Sequence, residues 1–172
     1  MFVTAFEVIL FMLFGLALAH GIRRNKVKRL LLAFTIIAIL VTVEENCSMI
    51  LTDDYVYSGY HLWIGQFPVA IMLAWISVCY LGFVFSTRIK NVVVGSFLVS
   101  CLDAVFEPAA YYFGLWTWHN SVYSPIRYFN APIQNAIGWF LFTLVGTLIL
   151  KKLLGTTPRD PNSPFMRSSK WK

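Results

Sequence analysis

Residues 97–120, FLVSCLDAVFEPAAYYFGLWTWHN, place Asp103 and Glu107 four positions apart in an otherwise apolar segment. On a helix that spacing puts both carboxyl groups on one face, one turn apart. Two acids so placed can share a proton, which sets a proton donor beside a proton acceptor. Three further acids, Glu7, Glu44 and Glu45, also fall in apolar segments. An ionised carboxylate at membrane depth costs at least ~2.5 to 3.5 kcal/mol, so these groups should face the inside of a bundle and find partners there. Pro108, directly after Glu107, cannot donate a backbone hydrogen bond, and the kink it predicts makes room for water beside the acid. Polar linking of neighbouring helices is the plainer alternative reading of the same residues.

Protonating an alkene calls for an acid among electron-rich rings, because aromatic faces attract a carbocation without trapping it covalently. Tyr60, Trp75, Trp116, Trp118, His119 and Trp139 are candidate walls of such a pocket, and Asn130 and Asn135 are candidate ligands for water or a carboxyl group. Interfacial anchoring accounts for many of these rings equally well. No HxxH or HxxE spacing appears, so no metal site is expected. GxSxG, the phosphate-binding P-loop and GxGxxG before a helix are all absent. Cys47, Cys79 and Cys101 form no CxxC pair and read as inert core residues. The NCS at Asn46 lies at membrane depth and is not expected to carry a glycan.

The elements that must hold these residues are membrane spans. The chain is 58% hydrophobic and 13% charged, with a mean hydropathy of +0.67, too apolar for a soluble domain. Five segments, 3–20, 30–51, 67–87, 92–114 and 133–150, are each long enough to cross about 30 Å of hydrocarbon. The expected fold is therefore an all-α polytopic bundle of about five transmembrane helices over residues 1–154, with a basic tail, 155–172, rich in Pro and Ser. The net charge of +6 sits in GIRRNKVKR, TRIKN and the tail, so it reads as orientation and not as nucleic-acid binding. That distribution predicts an outside N-terminus and a cytoplasmic C-terminus in the cell membrane, with the first segment retained as a span. Glu7, Glu44, Glu45, Asp103 and Glu107 then share the outer half of the bilayer. No internal repeat stands out in the sequence.

Four stretches together, VEEN, YVYSGYHLWIGQFPVAIMLAW, DAVFEPAAYYFGLWTW and YFNAPIQNAIGW, resemble the carotenoid biosynthesis family of CruF-type hydratases (bisanhydrobacterioruberin hydratase-like). The matching positions are Glu44 or Glu45, Gly59, Tyr60, Pro68 and Trp75, then Asp103, Glu107, Pro108, Trp116 and Trp118, then Pro132, Asn135, Gly138 and Trp139. Glu107 stands where the family pattern has Asp, and the chain is shorter than typical members. The resemblance implies cofactor-independent addition of water to the terminal double bond of an acyclic carotenoid, giving a tertiary alcohol. In that mechanism Asp103 and Glu107 form a coupled pair, one protonating the alkene and the other, with Glu44 or Glu45, deprotonating the attacking water. Lipid, the acyclic carotenoid and other membrane enzymes of the same pathway are the expected partners. Cyclisation of the end group and a non-catalytic isoprenoid-binding subunit are the alternatives.

Overall fold

A computed structural model describes residues 2–52, 55–119 and 126–155. Five helical passes form the bundle: α1 (Phe2–Arg24), α2 (Val27–Thr52), α3 (Val69–Ile89), the broken pass α4 (Val92–Ser100) with α5 (Asp103–Phe113), and α6 (Ile133–Leu154). Four of them, α1, α3, the α4–α5 pass and α6, are long and apolar enough to cross a membrane. The 26 residues of α2 extend about 39 Å, also enough to cross. Arg23 and Arg24 of α1, Arg88 of α3, and Lys151 and Lys152 of α6 all fall in last turns, which gathers cations at one end of the bundle. The expected tail lies outside the described residues apart from Gly155, which closes α6.

Helix α3 is central and packs against α1, α2, α4 and α6. Small residues allow the close approach. A Cβ at Gly95 of α4 would collide with the Ser86 backbone of α3, and one at Gly146 of α6 would collide with Cys79. Lys90 ends α3 in the left-handed conformation, and the Asn91 side chain accepts from the Val94 N–H at 3.1 Å to start α4. Of the cysteines read as core, only Cys79 is buried, whereas Cys47 on α2 and Cys101 in the turn after α4 are exposed.

The interruption expected at Pro108 lies earlier, between Ser100 and Asp103. There the chain tightens into i→i+3 bonds, Leu102 N–H to Val99 O at 3.0 Å, Ala104 N–H to Cys101 O at 3.1 Å and Val105 N–H to Leu102 O at 2.8 Å. The break puts Asp103 in the first turn of a new helix, directly after this tightened stretch.

At the other end, the aromatic loops contain short strands that helical periodicity could not reveal. Strand β1 (Tyr55–Tyr57) pairs antiparallel with β4 (Trp116–Trp118), while β2 (Trp63–Ile64) and β3 (Phe67–Pro68) form one hairpin and β5 (Arg127–Tyr128) and β6 (Ala131–Pro132) another. Asn46 serves the first hairpin: its amide donates to Ile64 O at 3.2 Å, and its side-chain oxygen accepts from Gln66 N at 2.9 Å. Gly65, at φ +66°, leaves the space that this oxygen fills.

Contrary to the sequence reading, the chain contains a repeat. Each hairpin runs into a proline that starts a helix, Pro68 for α3 and Pro132 for α6, and the first helical N–H reaches back to the residue before the hairpin, Val69 to Leu62 and Ile133 to Ile126. Each helix then carries a Trp seven residues after its proline, Trp75 and Trp139, and these rings meet at 4.5 Å. The β1–β4 register is self-complementary: Tyr55 faces Trp118, Val56 faces Thr117 and Tyr57 faces Trp116. The units α2–β1–β2–β3–α3 and α4–α5–β4–β5–β6–α6 thus repeat one element order on either side of the β1–β4 pair, the arrangement of an approximate two-fold. Residue identity is too low for a linear scan to show it, because Tyr-Val-Tyr stands against Trp-Thr-Trp.

Candidate active site

Each unit delivers one buried carboxyl group, from α2 or α5, to the strand that follows it. Side chains two apart on a strand share a face, so both aromatic residues of each strand reach the same acid. In the second unit, Glu107 Oε2 accepts from Trp118 Nε1 at 3.0 Å and from Trp116 Nε1 at 3.3 Å. In the first, Glu45 Oε2 accepts from the Tyr55 hydroxyl and, at 3.2 Å, from that of Tyr57, while Oε1 accepts from Trp75 Nε1 at 2.9 Å. Glu45 and Glu107 are 5% and 2% exposed, so these donors replace the water each carboxyl group has lost.

Among the described residues, only the second unit carries a second buried acid. Asp103, 3% exposed, lies one turn below Glu107, and Asn135 of α6 joins the two. The Asn135 amide nitrogen is 2.8 Å from Glu107 Oε1, 3.0 Å from Asp103 Oδ1 and 3.0 Å from the Tyr128 hydroxyl. Two amide hydrogens satisfy the two carboxyl oxygens, and Tyr128 completes the set by donating to Asp103 Oδ2. Burial foremost, with the neighbouring carboxyl groups adding to it, pushes the phenols of Tyr55, Tyr57 and Tyr128 well above the ordinary tyrosine range. These phenols stay neutral at physiological pH.

Glu45 and Glu107 face a common cavity of about 60 Å³, walled by Phe6, Phe106 and the indoles of Trp75, Trp116, Trp118 and Trp139. That volume admits water, and the walls are largely aromatic. A second space, a vestibule of about 150 Å³ with Gly114, Thr117 and Asn130 on its rim, reaches Glu107 from the hairpin end. The third is a groove of about 570 Å³ between the α4–α5 pass and α6, with Phe97, Ala104, Ile137 and Phe140 on its sides. It is almost wholly apolar and meets polar groups where Asp103 and Tyr128 line it.

A family model described as carotenoid biosynthesis protein matches residues 6–167. The chain belongs to this family. No curated protein and no solved structure matches it. The chain is accordingly a membrane protein of carotenoid biosynthesis. Of the candidates read from the sequence, Asp103, Glu107, Glu45, Asn135, Trp75, Trp116, Trp118 and Trp139 meet around the acid pair and the shared cavity.

Four candidates fall elsewhere. Glu44 is on the exposed face of α2, turned one position away from the cavity that Glu45 faces. Tyr60 is buried behind Tyr57, with ring centroids 5.8 Å apart, and does not line the cavity. The His119 side chain is exposed, and its carbonyl accepts from Arg127 at 3.1 Å. Asn130 borders the vestibule, its carbonyl held by Arg127 at 2.9 Å, and touches neither acid. Glu7 is also accounted for outside the site: its carboxylate accepts from the His61 backbone N–H at 2.9 Å and pairs with the His61 ring, which ties α1 to the loop before β2. The sequence reading missed Tyr55, Tyr57 and Tyr128 as ligands of the acids. The alternation in Tyr-Val-Tyr signals the first two; nothing local to Tyr128 signals the third. Among the described residues no three His, Cys, Asp or Glu side chains gather as a metal site.

Proposed function

We propose that the protein hydrates the terminal C=C bond of an acyclic carotenoid, giving a tertiary alcohol. The observation that carries this reading is the combination of a coupled acid pair, Asp103 and Glu107, with a water-sized cavity walled by indoles and faced by a third carboxyl group, Glu45. Acid-catalysed hydration needs a proton donor at one alkene carbon, a base for the water attacking the other, and cation-tolerant walls between them. The apolar groove ending on Asp103 offers a linear hydrocarbon a sideways approach from lipid, and the vestibule offers water an approach from the hairpin end. The cations gathered at the opposite end support an outside N-terminus, a cytoplasmic C-terminus and a site near the outer leaflet of the cell membrane.

Expression in a lycopene-accumulating bacterial host, with pigments read by chromatography and mass detection, tests this. Hydration adds 18 mass units and shortens retention, roughly as one hydroxyl should. An unchanged mass with a shifted absorption spectrum would instead indicate cyclisation. An unchanged pigment profile with lycopene and with longer acyclic carotenoids would refute the reading. Asp103→Asn and Glu107→Gln should each lower the product about 100-fold or more.

A further inference from the structure

The two acids of the pair differ in what their partners can do. The partners of Glu107 among the described residues are N–H groups, two indoles and an amide, which donate and cannot accept. A proton on either Glu107 oxygen would face a donor or find no acceptor among them, so the wiring suits the carboxylate. Asp103 Oδ2 faces the hydroxyl of Tyr128, and a phenol accepts as well as donates. The same contact therefore survives when Asp103 carries the proton and donates it to Tyr128.

The spaces divide in the same way. Asp103 and Tyr128 line the apolar groove, whereas Glu107 lines both the cavity and the vestibule. The internal two-fold adds a control within the molecule. Val41 stands four residues before Glu45 as Asp103 does before Glu107, and Ile71 occupies in α3 the place of Asn135 in α6. Among its described residues the first unit thus has a clamped acid facing the water-sized cavity and none lining the groove.

We propose, resting on the hydration reading, that Asp103 is the proton donor, positioned by Tyr128 and facing the polyene in the groove, and that Glu107 is the base that takes a proton from water. Asp103 gives its proton to the inner alkene carbon, and the π pair forms the new C–H bond and leaves a tertiary cation on the dimethyl carbon. A lone pair of water closes the C–O bond there, and the proton this oxygen sheds goes to Glu107. The pair then holds one proton as before, on the other member, and its return from Glu107 to Asp103 completes the cycle. One helical turn, about 5.4 Å, separates the two acids, so donor and base can serve adjacent carbons of one alkene.

The test separates protonation from water capture. Membranes holding the full chain and lycopene are incubated in deuterated buffer, and both alcohol and recovered lycopene are analysed by mass. Asp103→Asn should lower hydration and deuterium entry into lycopene together, each about 100-fold or more. Glu107→Gln should lower hydration by a similar factor while lycopene still gains deuterium, because the cation forms and returns to alkene by losing a protium from the CHD carbon or an adjacent methyl group to the Asp103 carboxylate. The milder pair repeats the contrast where a carboxyl variant does not fold: Tyr128→Phe lowers both signals, Trp118→Phe lowers hydration alone. Exchange retained by Asp103→Asn, or lost by Glu107→Gln in protein that is folded, overturns the assignment while leaving hydration standing. A wild-type chain that hydrates no acyclic carotenoid overturns the reaction itself.

Discussion

Asn135→Ala removes an amide that touches both acids of the pair. Its amide lies 2.8 Å from Glu107 and 3.0 Å from Asp103, inside a site where both carboxyl groups are nearly fully buried. A hydrogen bond to a charged group contributes about 1.5 to 3 kcal/mol, and a buried acceptor left without its donor costs a comparable amount. The two bonds share one nitrogen and are not additive, so the expected loss of transition-state stabilisation is about 3 kcal/mol. At 1.36 kcal/mol per factor of ten, that is about a 150-fold fall in hydration rate. The assay is alcohol formed per unit of membrane-inserted protein, with the thermal midpoint of the purified chain in detergent measured alongside. Asn135→Asp should be worse, because it replaces the shared donor with a third carboxyl group. Activity of Asn135→Ala within about twofold of wild type, in protein of unchanged midpoint, would refute the claim that the amide couples the acids.

Three further expectations follow from the same geometry. Glu45→Gln replaces a carboxylate that accepts from Trp75, Tyr55 and Tyr57 by a neutral amide and loses at least one charge-assisted bond, at about 1.5 to 3 kcal/mol, whereas Glu44→Gln on the exposed face should leave midpoint and activity near wild type; equal effects in both assays would place the wrong glutamate in the site. Gly146→Leu forces α6 away from Cys79 of α3 and should cost about 1 to 3 kcal/mol or more by overpacking, read as a lowered thermal midpoint; an unchanged midpoint would contradict the close helix approach. The phenols of Tyr55, Tyr57, Tyr60 and Tyr128 are all raised, chiefly by burial, so the unfolded chain releases their protons first as pH climbs. Their contribution to stability is complete below about pH 10 and is lost above it, as a falling midpoint should show; phenolate absorbance from all eight tyrosines of a still-folded chain near pH 10 would refute it.

The helical frame was legible because a bilayer demands long apolar runs, and the five segments read from hydropathy coincide with the five passes. Asp103 and Glu107 were legible for the same reason: a carboxyl group has no cheap place in such a run. Asn135 and Trp139 were found by their one-turn spacing, and the structure puts both at the site. The sequence could not choose between Glu44 and Glu45, because adjacent helical positions point about 100° apart and the facing strand decides which one is used. It gave no hold on Tyr128, whose partner lies 25 residues away across two connections. The strands were hidden because two- and three-residue pairs carry too few alternations to register against aromatic composition.

The repeat changes how the missing symmetry should be understood. Both units build the same clamp, a glutamate held by two aromatic donors on the next strand, and β1 and β4 zip the two clamps together. A pair of identical clamps would place two equivalent acids on one cavity, and equivalent acids cannot assign donor and base. Phenols on Glu45, indoles on Glu107, and Asp103 with Asn135 in the second unit alone remove that equivalence. The asymmetry also confines the groove-facing acid to one side of the molecule, so one chain should process one polyene end at a time. Val41→Asp with Ile71→Asn would copy the second unit's pair into the first. With Val41 fully buried, the new carboxyl group costs several kcal/mol unless the new amide reaches it. The double variant should therefore be more stable than Val41→Asp alone, by thermal midpoint, if the two units share a geometry. Strict additivity of the two substitutions would mean that the two-fold relates backbones only.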